Sequence, residues 1–469
     1  LEQIGGLNED LSPMYYEDVD LCLRLKALGY RTVYNPNIII NHFEFGSSYS
    51  SLWRQNLLLN NQEKILTLHK DFLLKKLPFT KENIIHARND YKDKPRILFI
   101  EDAVPLIKFG AGHPRSQIII NLLADMGASI TVCSMARTHS GVFSEPIEWS
   151  EIYNEINPEV EVFKDFQYTH LETFMNERKT FYEYIFVFRP HNMSYISELF
   201  DKDPSLFNKM KIIYDAEALY ANRKVLEKSI QNSPLPQEEI SRTLNRELSH
   251  AAIADTVITV SNQEAVFFQQ RNTDIKVIGY PIETKVTNKT FHERAHMLFI
   301  GAFHDDDAPN VDAVYWFVKE VLPLINKDRN IPIKLSIAGT CNSAKIKTLE
   351  SSTVEVLGYI DDITTLCNQY RFLISPIRFA AGIPLKAIQA ASVGLPVIGT
   401  TLISLLLEWK NEKEMLAADT PSEFANACLR LYQDENLWTN LQSNGYRAVK
   451  NSYSKSSAKE VLKEIFFHN

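Results

Sequence analysis

Hydrophobic positions along this chain fall into short apolar runs alternating with amphipathic stretches, and about two thirds of the way along the series starts afresh. The run "KPRILFIEDAVP", the Gly-containing loop "FGAGHPRS" and the helical "QIIINLLADMGA" form a strand, loop and helix from residue 95. "SITVCSM", "YEYIFVFRP", "MKIIYDAE" and "ADTVITVS" continue as buried-strand candidates. Near residue 291 the pattern restarts with "HMLFIGAF", "NVDAVYWFVKEVLPLI", "IPIKLSIAG", "STVEVLGYI", "RFLISPI", "IPLKAIQAASVG" and "LPVIGT". Strands alternating with helices predict parallel sheets covered on both faces. The expected fold class is α/β, with domains at 95–290 and 291–450. A terminal helix is expected at 451–469, where "SYSKSSAKEVLKEIFFHN" has a Ser-led start and apolar residues at helical spacing.

The front of the chain reads differently. Residues 1–75 are rich in aromatics and carboxylates and run into the helical "SLWRQNLLLNNQEKILTLHKDFL", whereas 76–94 are polar and aperiodic, a predicted linker. At 469 residues the chain is too long for one ordinary core. It opens at Leu1, inside what reads as an element, which predicts further sequence upstream.

Composition narrows the function classes. Apolar (45%) and charged (23%) fractions are those of a packed globular protein, and 50 Lys and Arg against 58 Asp and Glu argue against nucleic acid as the main partner. The five cysteines are scattered and form no C-x-x-C pair, so neither a disulfide framework nor a zinc site is expected, and a reducing cytoplasm fits. No run reaches the roughly 18–20 apolar residues of a membrane span.

Candidate chemistry is densest in "FLISPIRFAAGIPLKAIQAASVGLPVIGT". A buried strand ends at Ser375-Pro376, a loop holds Arg378 and Gly382, and a helix begins near Lys386, so cations and free backbone N–H groups converge at a helix N-terminus. That is an anion site; the alternative is a surface loop with solvated Arg and Lys. The stretch resembles the donor-binding segment of glycosyltransferase family 4, on Pro376, Ala380, Ala381, Gly382, Lys386, Gln389 and Ala390, then Gly394, Leu395, Pro396 and Val397. Two positions depart. Ala380 replaces a usual Gly, and Gln389 replaces the Glu that holds the ribose hydroxyls, keeping an acceptor oxygen but losing the charge-assisted bond.

Further matches run in family order through residues 298–400: Gly301 in the first turn, Pro309-Asn310 at a helix entry, Gly339 at a strand end, and Gly358-Tyr359 with Asp361 or Asp362 beside the donor base. The resemblance implies a GT-B fold, two Rossmann-like domains facing across a cleft. It implies a retaining, metal-free hexosyltransferase reaction, with no cofactor for this module. Arg378 and Lys386 would stabilise the leaving nucleoside diphosphate, and Gly301, Gly339, Tyr359, Gly382, Ile383 and Gln389 would bind the nucleotide-sugar donor.

Weaker signals lie in the first domain. "FGAGHPRS" places Gly110, Gly112, His113 and Arg115 between strand and helix, where a simple tight turn is the alternative. "VFRPHN" puts Arg189 and His191, and "IIYDAEALYANR" puts Asp215, Glu217 and Arg223, at strand carboxyl ends, the edge at which open α/β sheets bind ligands. Gly112, His113, Arg115, His191, Asp215 and Glu217 are the acceptor-side or cleft candidates. Ser261 and Glu264 read equally as a capping box.

The front string "IGGLNEDLSPMYYEDVDLCLRLKALGYRTVYNPNIIINHFEFGSS" resembles the carboxyl-terminal part of a glycosyltransferase family 2 (GT-A) catalytic domain. The resemblance makes Asp18, beside Glu17, the base that deprotonates an acceptor hydroxyl, with His42 near a divalent cation. An acidic first helical turn is the bland alternative. The upstream nucleotide-binding half is absent from this sequence, so Mg or Mn is expected only for a complete GT-A module. Taken together, the two resemblances imply tandem transferases of surface polysaccharide. Their partners would be a nucleotide sugar and a glycan or lipid-linked glycan acceptor, at the cytoplasmic face of a membrane with peripheral association. A sugar-nucleotide epimerase and a non-catalytic glycan-binding scaffold on the same fold are the rival readings.

Overall fold

The computed structural model describes residues 4–30, 32, 38–41, 50–78, 80, 83–85, 94–109, 112–135, 147–164, 166–217, 219, 221, 224–225, 228–229, 233–270, 274–286, 289–303, 306–327, 329–360, 362–380 and 383–467. The chain divides into two compact units, Leu1–Asp90 and Tyr91–Asn469.

The described residues of the first unit hold helices and no strand. Helix α1 (Glu17–Ala27) follows two consecutive left-handed residues, Tyr15 (φ 75°) and Tyr16 (φ 72°), a costly backbone for aromatic side chains. Helix α2 (Ser51–Leu68) starts at Ser50, whose hydroxyl accepts from Trp53 N. Asn61, buried on α2, donates to Leu11 O (2.8 Å) and Met14 O (2.9 Å), while Leu52, Leu59 and Leu66 on the same helix stay exposed.

The second unit contains two parallel sheets. Strands β1 (Arg96–Glu101), β2 (Ser129–Ser134), β3 (Glu161–Phe163), β4 (Tyr184–Phe188), β5 (Lys211–Asp215), β6 (Thr256–Thr259) and β7 (Asp274–Val277) line up as β3-β2-β1-β4-β5-β6-β7. Ile97 pairs with Ile130 on one side and Tyr184 on the other, so β1 and β4 flank the point at which strand order reverses. Strands β8 (Ala295–Ile300), β9 (Leu335–Ala338), β10 (Val354–Gly358), β11 (Tyr370–Ser375), β12 (Val397–Gly399) and β13 (Leu416–Ala417) repeat the plan as β10-β9-β8-β11-β12-β13. Every pair among the described strands is parallel, and central strands such as β11 are buried throughout, which is why they read as unbroken apolar runs.

Two stretches cross between these lobes. Ile282 N donates to Tyr453 O (2.7 Å), and a Cβ on Gly279 would stand 2.6 Å from the Tyr453 ring, so the outgoing and returning chains lie against each other. After the return, the last helix packs into the first lobe. Its Ala458, Leu462, Ile465 and Phe466 join Ile97, Phe99 and Phe186 in one core. The expected single helix over "NVDAVYWFVKEVLPLI" is instead an α-helix at Pro309–Trp316, a π segment at Phe317–Val321 and a short α-helix at Leu322–Asn326. Pro323 explains the break, because it lacks the N–H that a continuous α ladder needs there.

Candidate functional site

In the second lobe the strand tips are built from glycine. Gly301 N donates to Ala338 O (2.9 Å) and Gly339 N to Gly358 O (2.7 Å), so the ends of β8, β9 and β10 stack. Gly339 has φ 135°, and a Cβ there would lie 2.1 Å from Gly301 O, so only glycine fits. A cleft of ≈ 890 Å³ opens in front of these tips. Gly301, Gly339, Tyr359 and Gln389 line it, and the first lobe contributes Lys108, Gln117 and Asn121. Tyr359 is 70% exposed, a flat ring available for stacking. Gln389 projects from helix α3 (Leu385–Ser392), whose Ala387, Ile388, Ala390 and Ala391 are buried on the opposite face.

The two predicted phosphate cations are elsewhere. Neither Arg378 nor Lys386 is among the residues lining that cleft. Arg378 forms a two-pronged pair with Asp312, Nε to Oδ2 at 2.9 Å and Nη2 to Oδ1, while Lys386 Nζ donates to Asn310 Oδ1 at 2.5 Å and lies 4.3 Å from the Phe299 ring centre. Both partners sit in the first turns of the helix at Pro309–Trp316. Asn310 also donates to Ala302 O (2.8 Å) and closes on Gly301, where a Cβ would meet its amide at 2.8 Å. Lys386 thus stands one layer behind the cleft wall, and burial pulls its amine down to about 7. Ile383 packs on the core beside Gly279 rather than lining the cleft. Gly382, Asp361, Gly110, Arg223 and His42 lie outside the described residues.

The first-lobe candidates gather at the carboxyl ends of β1, β4 and β5. Arg115, buried, binds Asp215 Oδ2 (2.7 Å), Ile278 O (2.8 Å) and Gly279 O (3.2 Å), tying the sheet edge to the crossover. Arg189, at φ 74°, reaches Asp102 (2.8 Å), Glu101 (3.3 Å) and Glu217 (3.2 Å). Gly112 gives Glu217 its room: a Cβ there would stand 1.6 Å from Oε1 of that carboxylate. Burial, opposed by Arg189, pushes Glu217 up to about 7, and burial also raises Glu101 and Asp215. His113 is driven down to about 3 by burial and by the Arg189 charge, so it is a neutral imidazole. Asp102 goes the other way. Burial alone would raise it, but the His191 hydrogen bond and the Arg189 charge outweigh burial and keep it ionised.

Glu101, Asp102 and Asn192 were not singled out in the sequence. The signal available was "FIED", two carboxylates at the carboxyl end of the first predicted strand. Ser261 and Glu264 form half of the expected capping box: Ser261 Oγ accepts from Glu264 N (3.3 Å), while Glu264 Oε1 accepts from Leu219 N (3.2 Å). In the first unit Asp18 is exposed in the opening turn of α1 and caps Val19 N (2.8 Å). Nearby Asp20 is the buried carboxylate, held by Arg24 (2.7 Å) and His69 (2.8 Å).

With this geometry in hand, residues 294–434 match the family described as "Glycosyl transferases group 1". The chain carries a group 1 glycosyltransferase domain. It is therefore an enzyme of the class that transfers sugar from a nucleotide-sugar donor. No curated protein sequence matches the chain. Among solved structures, sucrose-phosphate synthase from Thermosynechococcus elongatus is similar at TM-score 0.59 and 14% identity, covering 80% of this chain and 98% of its own. HepE from Anabaena, in complex with UDP and glucose, matches at TM-score 0.55 and 14% identity over 79% and 99%. A TarM mutant from S. aureus, in complex with Fondaparinux, alpha-GlcNAc-glycerol and UDP, matches at 0.54 and 10% over 79% and 99%. At these identities the likeness concerns the fold, which is the GT-B arrangement implied by the family 4 resemblance.

Proposed function

We propose that the second unit is a retaining hexosyltransferase that moves a sugar from a nucleotide sugar to a glycan or lipid-linked glycan acceptor in bacterial surface-polysaccharide synthesis. The observation that carries this reading is the glycine-only contact of Gly339 with Gly301 in the cleft wall, which brings backbone against any ligand in the ≈ 890 Å³ cleft. In this reading Tyr359 faces the base and Gln389 the ribose, and the diphosphate lies over the tips of β8 and β9. Lys386 answers its charge from behind Gly301, and Arg378 joins by exchanging Asp312 for a phosphate oxygen. His113, Arg115, His191, Asp215 and Glu217 belong to the acceptor side. The glycan ligands named for TarM and the UDP named for both relatives support these choices of substrate class.

The scheme is metal-free in this module. We propose further that the first unit is a remnant of a family 2 GT-A domain, with Asp18 as its base and a divalent cation only when that domain is complete. This part rests on the sequence resemblance of residues 1–75. No described helix is long and apolar enough to cross a membrane, and we place the enzyme at the cytoplasmic face by peripheral association.

Thermal stabilisation by a panel of UDP-, GDP-, TDP- and ADP-sugars tests the donor, since a ligand of the native state at 100 times its Kd adds about 2.7 kcal/mol. The expected outcome is one stabilising nucleotide class whose sugar is then released from the nucleotide. Turnover without acceptor to an epimeric nucleotide sugar would support the epimerase, and no binding across the panel would support the scaffold.

A further inference from the structure

The two strands that flank the reversal of order in the first sheet, β1 and β4, each deliver one member of a side-chain pair. Asp102 directly follows β1. Its Oδ1 accepts from His191 Nε2 and from Asn192 Nδ2 (2.8 Å), and its Oδ2 accepts from Arg189 Nη1 (2.8 Å). The carboxylate is thus held by three donors from one strand-to-helix turn. Asn192 also donates to Phe188 O (2.8 Å), which fixes it from behind. Arg189, in its left-handed conformation, makes that turn sharp, and the helix at Pro190–Lys202 begins immediately after it. The result is unusual for the neighbourhood. Asp102 is largely covered, yet the ring it holds is 57% exposed. A carboxylate with three donors cannot rotate to suit a mobile partner, so the ring is the part being oriented.

Crevices at such reversal points, outside the carboxyl ends of parallel strands, are where open α/β sheets take ligands. In the tautomer whose Nε2–H donates to Asp102, the second ring nitrogen, Nδ1, is a hydrogen-bond acceptor on a ring that is more than half exposed. Resting on the glycosyltransferase reading above, we propose that Asp102 is a positioning residue which fixes the His191 ring so that Nδ1 accepts a hydrogen bond from a hydroxyl of the acceptor sugar. A positioning residue that acts through one ring has no further effect once that ring is gone, which separates it from a residue that merely holds the fold.

The test uses the full chain and His191→Ala, Asp102→Asn and the double variant. Nucleotide release from the panel's donors is measured with water as acceptor and with methyl glycosides of glucose, galactose and mannose. Because His191 is exposed, its truncation leaves the fold intact; circular dichroism melts check Asp102→Asn, which loosens Arg189. The expected result is a loss of transfer of about tenfold or more in each single variant, seen mainly as a raised acceptor KM. The double variant is no worse than His191→Ala. Independent, multiplying losses, or an unchanged transfer rate in His191→Ala, overturn the positioning role while leaving the transferase reading intact. A wild-type chain that releases no nucleotide from any donor overturns both.

Discussion

Replacing Lys386 by Met isolates the cost of keeping an amine behind the cleft wall. Burial pulls that amine down to about 7, whereas in an unfolded chain it titrates near 10.4. Between those values the unfolded state holds the proton and the native state does not, so stability rises with pH there and the benefit is lost as pH falls through about 7. From pH 7 to pH 9 the integrated gain is about 2 kcal/mol. This is an upper figure, because Asn310 Oδ1 at 2.5 Å and the Phe299 ring at 4.3 Å favour the ammonium and offset part of the shift. For a lobe of this size the gain corresponds to about 4–8 °C in Tm. Calorimetric melts of wild type and Lys386→Met at half-unit steps across that range should show the Met variant favoured at pH 7 and the wild type recovering steadily toward pH 9. A Tm difference that stays constant with pH would refute the reasoning, since an amine with an ordinary titration gives no such slope.

Two substitutions probe neighbouring claims. Gln389→Glu converts a neutral acceptor in the cleft into a carboxylate, and donor affinity by titration calorimetry should rise about tenfold, or about 1.4 kcal/mol; no gain would remove Gln389 from the ribose. Gly112→Ala sets a Cβ 1.6 Å from Glu217 Oε1 and should cost about 1–3 kcal/mol in thermal melts, recovered when Glu217→Ala is added; a Tm equal to wild type would show that the carboxylate moves freely.

Much of the fold was legible because parallel strands buried on both faces announce themselves as apolar runs. The thirteen described strands include every run singled out between residues 95 and 400, and β1 and β8 open the two sheets where the repeat restarts. The π segment at Phe317–Val321 was not legible, since periodicity is blind to how a helix absorbs Pro323. At the site, glycines were readable and cations were not. Gly301 and Gly339 announce close backbone approach by their type, but Arg378 and Lys386 gave no hint that Asp312 and Asn310, some seventy residues earlier, would hold them. Asp102 escaped for the same reason, because its three donors lie 87 to 90 residues downstream. The return of the last helix to the first lobe is likewise a long-range fact, visible only in the packing of Leu462 and Phe466.

The central claim is that a nucleotide sugar occupies the space in front of the β8 and β9 tips. Hydrogen exchange of the full chain, with and without the stabilising donor from the panel, addresses it directly. The account predicts slowed exchange at Gly301 to Phe303, Gly339 to Thr340 and Leu385 to Gln389, with little change in Leu1–Asp90. Protection confined to other segments, with those three exchanging at the same rate in both conditions, would contradict it.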